Sequence, residues 1–408
     1  MERTNPESSA VEAASRRAFW LALASGATHH LTTGTIHFLP ALYALKLGAP
    51  PFLVGLIPAA HSFPGIIAAL PGGKLVDRFG ARRVTRWTTL ARIFAILIYP
   101  FVHAPLWLVL PNFISGALAT VTVVSLHTYV SGISLGGSRR RDISQFAITG
   151  TVGELIGPTL AGMIVDRFEF TTAFLVSAAL CTLSFAAASS LPPAPEIEAK
   201  EKAGADERQL GFRGLITKRS LQAALCGTML FALLQGFLRG FLPVLLYGSY
   251  SATRIGSLFF AASLASLCGR SLVGWQAERW SPLKLLPATA LFAALPFVML
   301  PFSTEYLSLV LLMLLYGLGQ GLLAVLGAVL IAEYSEARER GVANGIRLAT
   351  MRVGGSAGPL LFGPLAQVYS TATAFVAVGA VSILVAVFLF VRVVLGNPAT
   401  TAQRRDLQ

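Results

Sequence analysis

The sequence predicts an all-α integral membrane protein: twelve transmembrane helices in two pseudo-symmetric bundles of six. Three observations carry that prediction, namely long apolar blocks, a one-sided placement of basic residues, and an internal repeat. Of the 408 residues, 54% are hydrophobic and only 12% charged, a balance far too apolar for a soluble chain of this size. The apolar residues come in blocks, and a helix needs roughly 20 of them to span the hydrocarbon of a bilayer. Lipid admits only backbones whose hydrogen bonds close internally, so the blocks are helices or barrel strands. Their length and lack of period-two alternation exclude the barrel.

Read in order, the spans cover 18–45, 52–71, 84–103, 106–133, 143–165 and 171–190, then 220–247, 252–274, 283–301, 305–333, 342–366 and 371–395. This divides the chain into a cytoplasmic tail (1–17), a six-helix bundle (18–190), a cytoplasmic linker (191–218), a second bundle (219–395) and a cytoplasmic tail (396–408). The linker opens with Pro192, Pro193 and Pro195 and continues with Glu196, Glu198, Lys200, Glu201, Lys202, Asp206, Glu207 and Arg208. It is too polar to fold alone and reads as a mobile tether. Glu2, Glu7 and Glu12 precede Arg16 and Arg17, which is unlike a cleaved signal peptide, so the first span is expected to stay as an anchor.

The net charge of +13 is a topology signal. Most of the 32 basic residues fall in the two tails, the even-numbered breaks and the linker. Lys46, Arg167 and Arg254 lie at odd-numbered breaks, and Arg92, Arg239 and Arg352 inside spans. Retention of positive charge on one side marks the cytoplasmic face, which argues against nucleic acid as a partner. Cys181, Cys226 and Cys268 all sit in apolar spans without metal-ligand spacing.

A constant offset lays the second half on the first. It brings Gly73 onto Gly274, Asp77 onto Glu278, Arg78 onto Arg279, Gly116 onto Gly317, Gly157-Pro158 onto Gly358-Pro359, and Gly162 onto Gly363. With a two-residue change, Phe38-Leu39-Pro40 matches Phe241-Leu242-Pro243. A six-helix unit therefore occurs twice, in parallel. Such repeats are a device for alternating access, one half rocking against the other around a fixed site.

The loop Gly73-Lys74-Leu75-Val76-Asp77-Arg78-Phe79-Gly80-Ala81-Arg82-Arg83 resembles the signature of the major facilitator superfamily, twelve-helix bacterial type. Ala81 departs from it where a basic residue is usual, and Arg82 and Arg83 follow at once. The resemblance implies a conformational switch built from Gly73, Asp77, Arg78, Gly80, Arg82 and Arg83, with Glu278 and Arg279 as counterparts in the second half. Asp77 is then expected to brace the start of the eleventh helix while the protein is open to the outside; the plainer alternative is a basic loop that only fixes topology. Gly153 to Gly162, with Gly157-Pro158 at its centre, is similar to the family's pattern associated with antiporters. Because Gly358, Pro359 and Gly363 recur in the other half, these residues are also expected to serve helix packing. Asn112 stands where proton/drug antiporters of the family often carry an Arg.

Ionisable groups inside spans cost roughly 2.5–3.5 kcal/mol each on insertion scales, so they mark candidate sites. Glu154 lies mid-span and has Gly355 as its repeat counterpart, which suits a proton-coupling group; a structural carboxylate is the alternative. Arg352 and Arg239, opposite Thr151 and Ile36 in the repeat, are candidates to clamp a carboxylate or phosphate, or to pair with Glu154. Gln235 shares a helix face with Arg239. His30, Thr33 and His37 form one stripe on the first span. By the resemblance, the first and seventh helices line a central cavity, so the stripe is expected to face it and to contact solute or carry protons. Gln320, Tyr247 and His127 are further candidates to line the cavity, with a helix-packing hydrogen bond as the alternative for each. Arg92 is a weaker candidate, since by the resemblance the third helix is usually peripheral and Arg can snorkel.

The chain has no phosphate-cradling Gly-Lys-Ser/Thr loop, so ATP-driven transport is not indicated, and neither an enzyme constellation nor a cofactor or metal site is expected. The resulting expectation is a secondary active transporter, in its preferred form a proton-coupled exporter of a small anionic or amphiphilic organic compound. A proton-coupled importer of an organic anion and a non-transporting sensor or scaffold are the alternatives. The expected partners are the solute, protons and the lipid bilayer. The expected location is the bacterial inner membrane with both termini inside, and a monomer suffices.

Overall fold

The computed structural model describes residues 6–134, 139–193, 219–276, 281–335 and 340–395. These form thirteen α-helices: α1 (Pro6–Lys46), α2 (Pro51–Ser62), α3 (Pro64–Phe79), α4 (Ala81–Leu97), α5 (Val109–Ile133), α6 (Arg139–Arg167), α7 (Phe170–Ser189), α8 (Arg219–Leu246), α9 (Ala252–Gln276), α10 (Pro282–Met299), α11 (Tyr306–Tyr334), α12 (Arg340–Val368) and α13 (Thr371–Phe390). They account for the twelve predicted spans, because the second span is built from α2 and α3. Pro64 has no N–H to give and interrupts the helix after Phe63. α1 begins at Pro6, ahead of the span read from the sequence, and Ser15 donates its hydroxyl to the Ile133 carbonyl at the end of α5 (2.8 Å). The linker residues 194–218 and the tail from 396 lie outside the described residues.

Nine stretches of the described residues are long and apolar enough to cross a membrane. α1, α4 and α12 are not among them. α1 carries the histidines and threonines, α4 carries Arg92, and α12 carries Arg352. Thus each of the three helices that fall short on hydropathy carries polar groups of interest.

By contacts the chain divides into two compact units, one of residues 1–202 with 246–260, the other of residues 203–245 with 261–408. In the first unit α1 is the hub, packed on α2, α5, α6 and α7. Its approach to α6 is as close as backbones allow: a Cβ on Gly34 would stand 2.2 Å from the Gly153 carbonyl oxygen, and one on Gly157 would stand 2.6 Å from Gly34. α5 presses on α2 in the same way at Gly116, 2.1 Å from the His61 oxygen by the same measure. Asn112 is buried and structural. Its amide donates to the Ile57 carbonyl (2.6 Å) and its oxygen accepts from the Tyr99 hydroxyl (2.7 Å), while the Tyr99 ring stacks on Phe174. The start of α9 also belongs to this unit. There the Asp166 carboxylate accepts the N–H groups of Ala252 (3.0 Å) and Thr253 (2.8 Å), capping the α9 N-terminus from α6.

The second unit repeats these devices. Gly317 on α11 meets the Ala262 oxygen on α9 as Gly116 meets His61, and Gly358 on α12 meets the Leu233 oxygen on α8. Gly236 faces the Gly355 oxygen, at 2.0 Å from an added Cβ. Phe237, Phe241, Phe297, Phe375 and Tyr316 form a ring cluster joining α8, α10, α11 and α13.

Replacing Gly34 by Ala is expected to force α1 and α6 apart and lower stability by about 1–3 kcal/mol, the range for overpacking. Gly73→Ala is the control, since nothing lies within 4 Å of its added Cβ. Melting temperatures in detergent check the pair: Gly34→Ala falls, and Gly73→Ala holds or rises.

Candidate functional site

α1 presents two polar stripes. Ser25, His29, Thr32 and Thr35 are fully buried, whereas His30, Thr33 and His37 are half-buried. The buried stripe docks on α7, where Ser25 donates to the Ser184 carbonyl (3.1 Å) and Ser177 donates to Thr35 (2.9 Å). The half-buried stripe is the one expected to line a cavity. His30 leans on α6 at Gly150 and Gly153 and meets the Phe146 ring edge-on, as does His127 from α5. Glu154, half-buried on α6, lies within electrostatic reach of His30. His37 meets the ring of His61 from α2 at 4.5 Å.

Between the stripes sits Arg92, which the sequence marks only as a weaker candidate. Arg92 is 0% exposed and does not snorkel. α4 packs on α5 and α7, and the guanidinium reaches inward from it. Nε donates to Ser115 on α5 (3.2 Å), Nη1 to His29 Nδ1 (3.2 Å) and Nη2 to Thr33 Oγ1 (3.0 Å). All three partners are neutral. Thr33 passes its own proton to the His29 carbonyl (2.9 Å). The Thr33 hydroxyl proton is thereby committed, and its oxygen serves Arg92 as an acceptor. The signal missed was periodicity: Ser25, His29 and Thr32 recur at helical spacing, which demands a polar neighbour for a buried face. His61, a lone histidine in the apolar second span, was missed as well.

In the second unit, Gln235 and Arg239 occupy successive turns of α8 and are half-buried. Arg352 is exposed on α12, three residues before the Gly355 that packs on Gly236. The two guanidinium groups are close enough for their charges to interact. Gln320 is buried (7% exposed) on α11, between Gly319 and Gly321, which pack against α10 and α9. It is placed among packed helices and not on an open face.

The sequence matches the family model described as Major Facilitator Superfamily twice, over residues 21–245 and 224–407. The chain belongs to the major facilitator superfamily. No curated protein sequence matches it significantly. Among solved structures it resembles the nucleoside transporter NupG (TM-score 0.77, 16% identity, 92% of this chain and 98% of that one). It also resembles a D-xylose-proton symporter (0.71, 15%, 92% and 96%) and a POT family transporter in complex with 5-aminolevulinic acid (0.71, 15%, 93% and 96%). At these identities the likeness shows the fold.

In this major facilitator protein the signature loop is the junction of α3 and α4. Gly80 carries the turn with φ 81°, a left-handed value that favours glycine, and its N–H bonds the Val76 carbonyl (2.8 Å). Asp77, Arg78 and Arg83 are exposed and Arg82 is half-buried, while Arg78 lies over the Phe79 ring. Glu278 and Arg279 lie outside the described residues. The Gly-Pro segments are packing elements in both units. Gly157 lies against α1 and Gly162 against Ala252, the Pro158 carbonyl lies against Gly256, Gly358 lies against α8, and Pro359 and Gly363 are buried on α12.

Ser115→Ala leaves a buried guanidinium N–H without its acceptor, and a loss of about 1–3 kcal/mol is expected. Ser266→Ala is the matched control, because the buried Ser266 hydroxyl has no partner among the described residues. Thermal unfolding of both variants checks this: Ser115→Ala melts lower, Ser266→Ala does not.

Proposed function

We propose that this protein exports a small anionic or amphiphilic organic compound in exchange for protons. Arg239 and Arg352 hold the solute's anionic group with Gln235 beside them. Glu154 with His30 or His37 carries the proton, and the loop of Asp77 and Arg78 governs the switch between states. The observation that carries this reading is that Arg239 on α8 and Arg352 on α12 lie within electrostatic reach of each other. Two guanidinium groups that repel each other gain most from a shared anion, which they can bind in forked hydrogen bonds.

Outward exchange is the mode that draws most on the membrane potential. Moving one elementary charge across 100 mV is worth about 2.3 kcal/mol. An anion leaving a negative interior while one proton enters shifts two charges downhill, so a single carboxylate such as Glu154 suffices for strong coupling. Import of the same anion with one proton is electroneutral and gains nothing from the potential. The glycine pattern adds no directional support, because its members pack helices alike in both units. Among the fold relatives, one is titled a D-xylose-proton symporter and another is bound to 5-aminolevulinic acid. The same architecture therefore accommodates a proton partner and a small organic acid in those proteins.

A thermal-shift series of carboxylates against purified protein tests the clamp. A ligand at about 100 times its dissociation constant stabilises by roughly 2.7 kcal/mol. Carboxylates are expected to raise the melting temperature of the wild type and not of Arg352→Gln or Arg239→Gln. Equal stabilisation of Arg352→Gln, or stabilisation by cationic amphiphiles alone, contradicts the reading. In proteoliposomes, Glu154→Gln is expected to keep anion exchange and lose proton movement; retained proton movement removes Glu154 from the coupling role.

A further inference from the structure

Arg92 has no place in the proposed solute clamp, yet it is the most deeply buried charge of the first unit. A guanidinium is a donor only, with five N–H groups and no lone pair to offer. Its contact with His29 Nδ1 at 3.2 Å therefore fixes the proton bookkeeping of that ring. Nδ1 must be the acceptor, so the His29 proton sits on Nε2 and the ring is neutral. The same logic holds at Thr33, whose oxygen accepts from Nη2 and whose proton goes to the His29 carbonyl. Ser115 receives the Nε proton and anchors the guanidinium to α5.

From this geometry we propose that Arg92 is a positioning residue for the first helix. It locks His29 as the neutral Nε2–H form and keeps Thr33 acceptor-only, so that proton exchange along α1 passes through its half-buried face and bypasses His29. The proposal rests on the proton-coupled reading only for that functional consequence; the lock stands on geometry alone. The groups around the pair agree with it. His30 on α1 and His61 on α2 are the titratable side chains within electrostatic reach of His29 besides Arg92 itself. Around Arg92 stand Tyr99 after α4, Cys181 on α7 and Ser115 on α5. None of these is a carboxylate. A second proton on His29 would place a cation against the guanidinium and remove the lone pair it donates to. His29 Nε2 has no hydrogen-bond partner among the described residues, so the bond to Arg92 alone decides the tautomer.

The test is nitrogen-15 NMR of the full-length protein labelled at histidine, with the His29 signals assigned by their loss in His29→Gln. Wild type is expected to show an unprotonated Nδ1 and a protonated Nε2, unchanged from about pH 6 to about pH 8, where a free histidine titrates. In Arg92→Gln the His29 ring is expected to populate both tautomers and to titrate in that window. Arg92→Lys keeps the charge but cannot reach Ser115, His29 and Thr33 together, and is expected to release the tautomer without making the ring titrate normally. A wild-type His29 that is protonated on Nδ1, or that titrates in this window, overturns the proposal, and neither result needs an Arg92 variant to fold. If the lock is present but Glu154→Gln liposomes still move protons, the coupling reading fails and the Arg92 assignment survives.

Discussion

Everything in this protein depends on helices that touch backbone to backbone. Lipid tails are as apolar as leucine, so no hydrophobic gain draws one spanning helix to another, and close van der Waals contact must do it. At Gly34, Gly153 and Gly157 a single added carbon would collide with the neighbouring helix. The approach positions the functional groups as well. His30 touches α6 because Gly150 and Gly153 leave room for it, and Arg352 stands near Arg239 because Gly355 and Gly236 bring α12 against α8.

A second constraint is the placement of charge. The first unit gathers every histidine of the chain and a buried arginine whose bonds all go to neutral groups. The second unit gathers two arginines and keeps its described carboxylates at helix ends. The Arg that proton/drug antiporters of the superfamily often carry on the fourth span is absent here, and Asn112 holds Tyr99 and Ile57 in its place. The guanidinium inside this bundle comes instead from α4, and it reaches α5 one turn further on, at Ser115.

Much of the fold was legible from the residues alone. Block length, charge placement and the offset repeat predict twelve helices in two sixes, and the repeat even predicts which glycines share a role: Gly116 with Gly317, and Gly157 with Gly358. The break at Pro64 was not anticipated, because one proline in an apolar run can bend a helix or split it. The site was legible in part. Span position singles out Arg239, Arg352 and Glu154 as candidates, and it underrates the burial of Arg92, because a side chain on a nominally peripheral helix points inward or outward depending on its face. Here the threonines of α4 mark that face: Thr85 and Thr89 are buried with Arg92 at helical spacing. Gln320 reads as a cavity residue by depth alone, and its flanking glycines bury it.

The central claim, that anion and proton move in opposite directions through one protein, is tested most directly by the current it generates. Proteoliposomes on a solid-supported membrane, challenged with a carboxylate that stabilises the purified protein, report the charge moved per cycle. The account predicts an electrogenic response that grows when a proton gradient opposes the anion gradient and vanishes in Glu154→Gln. Electroneutral uptake, or a response that grows when proton and anion gradients point the same way, would contradict it.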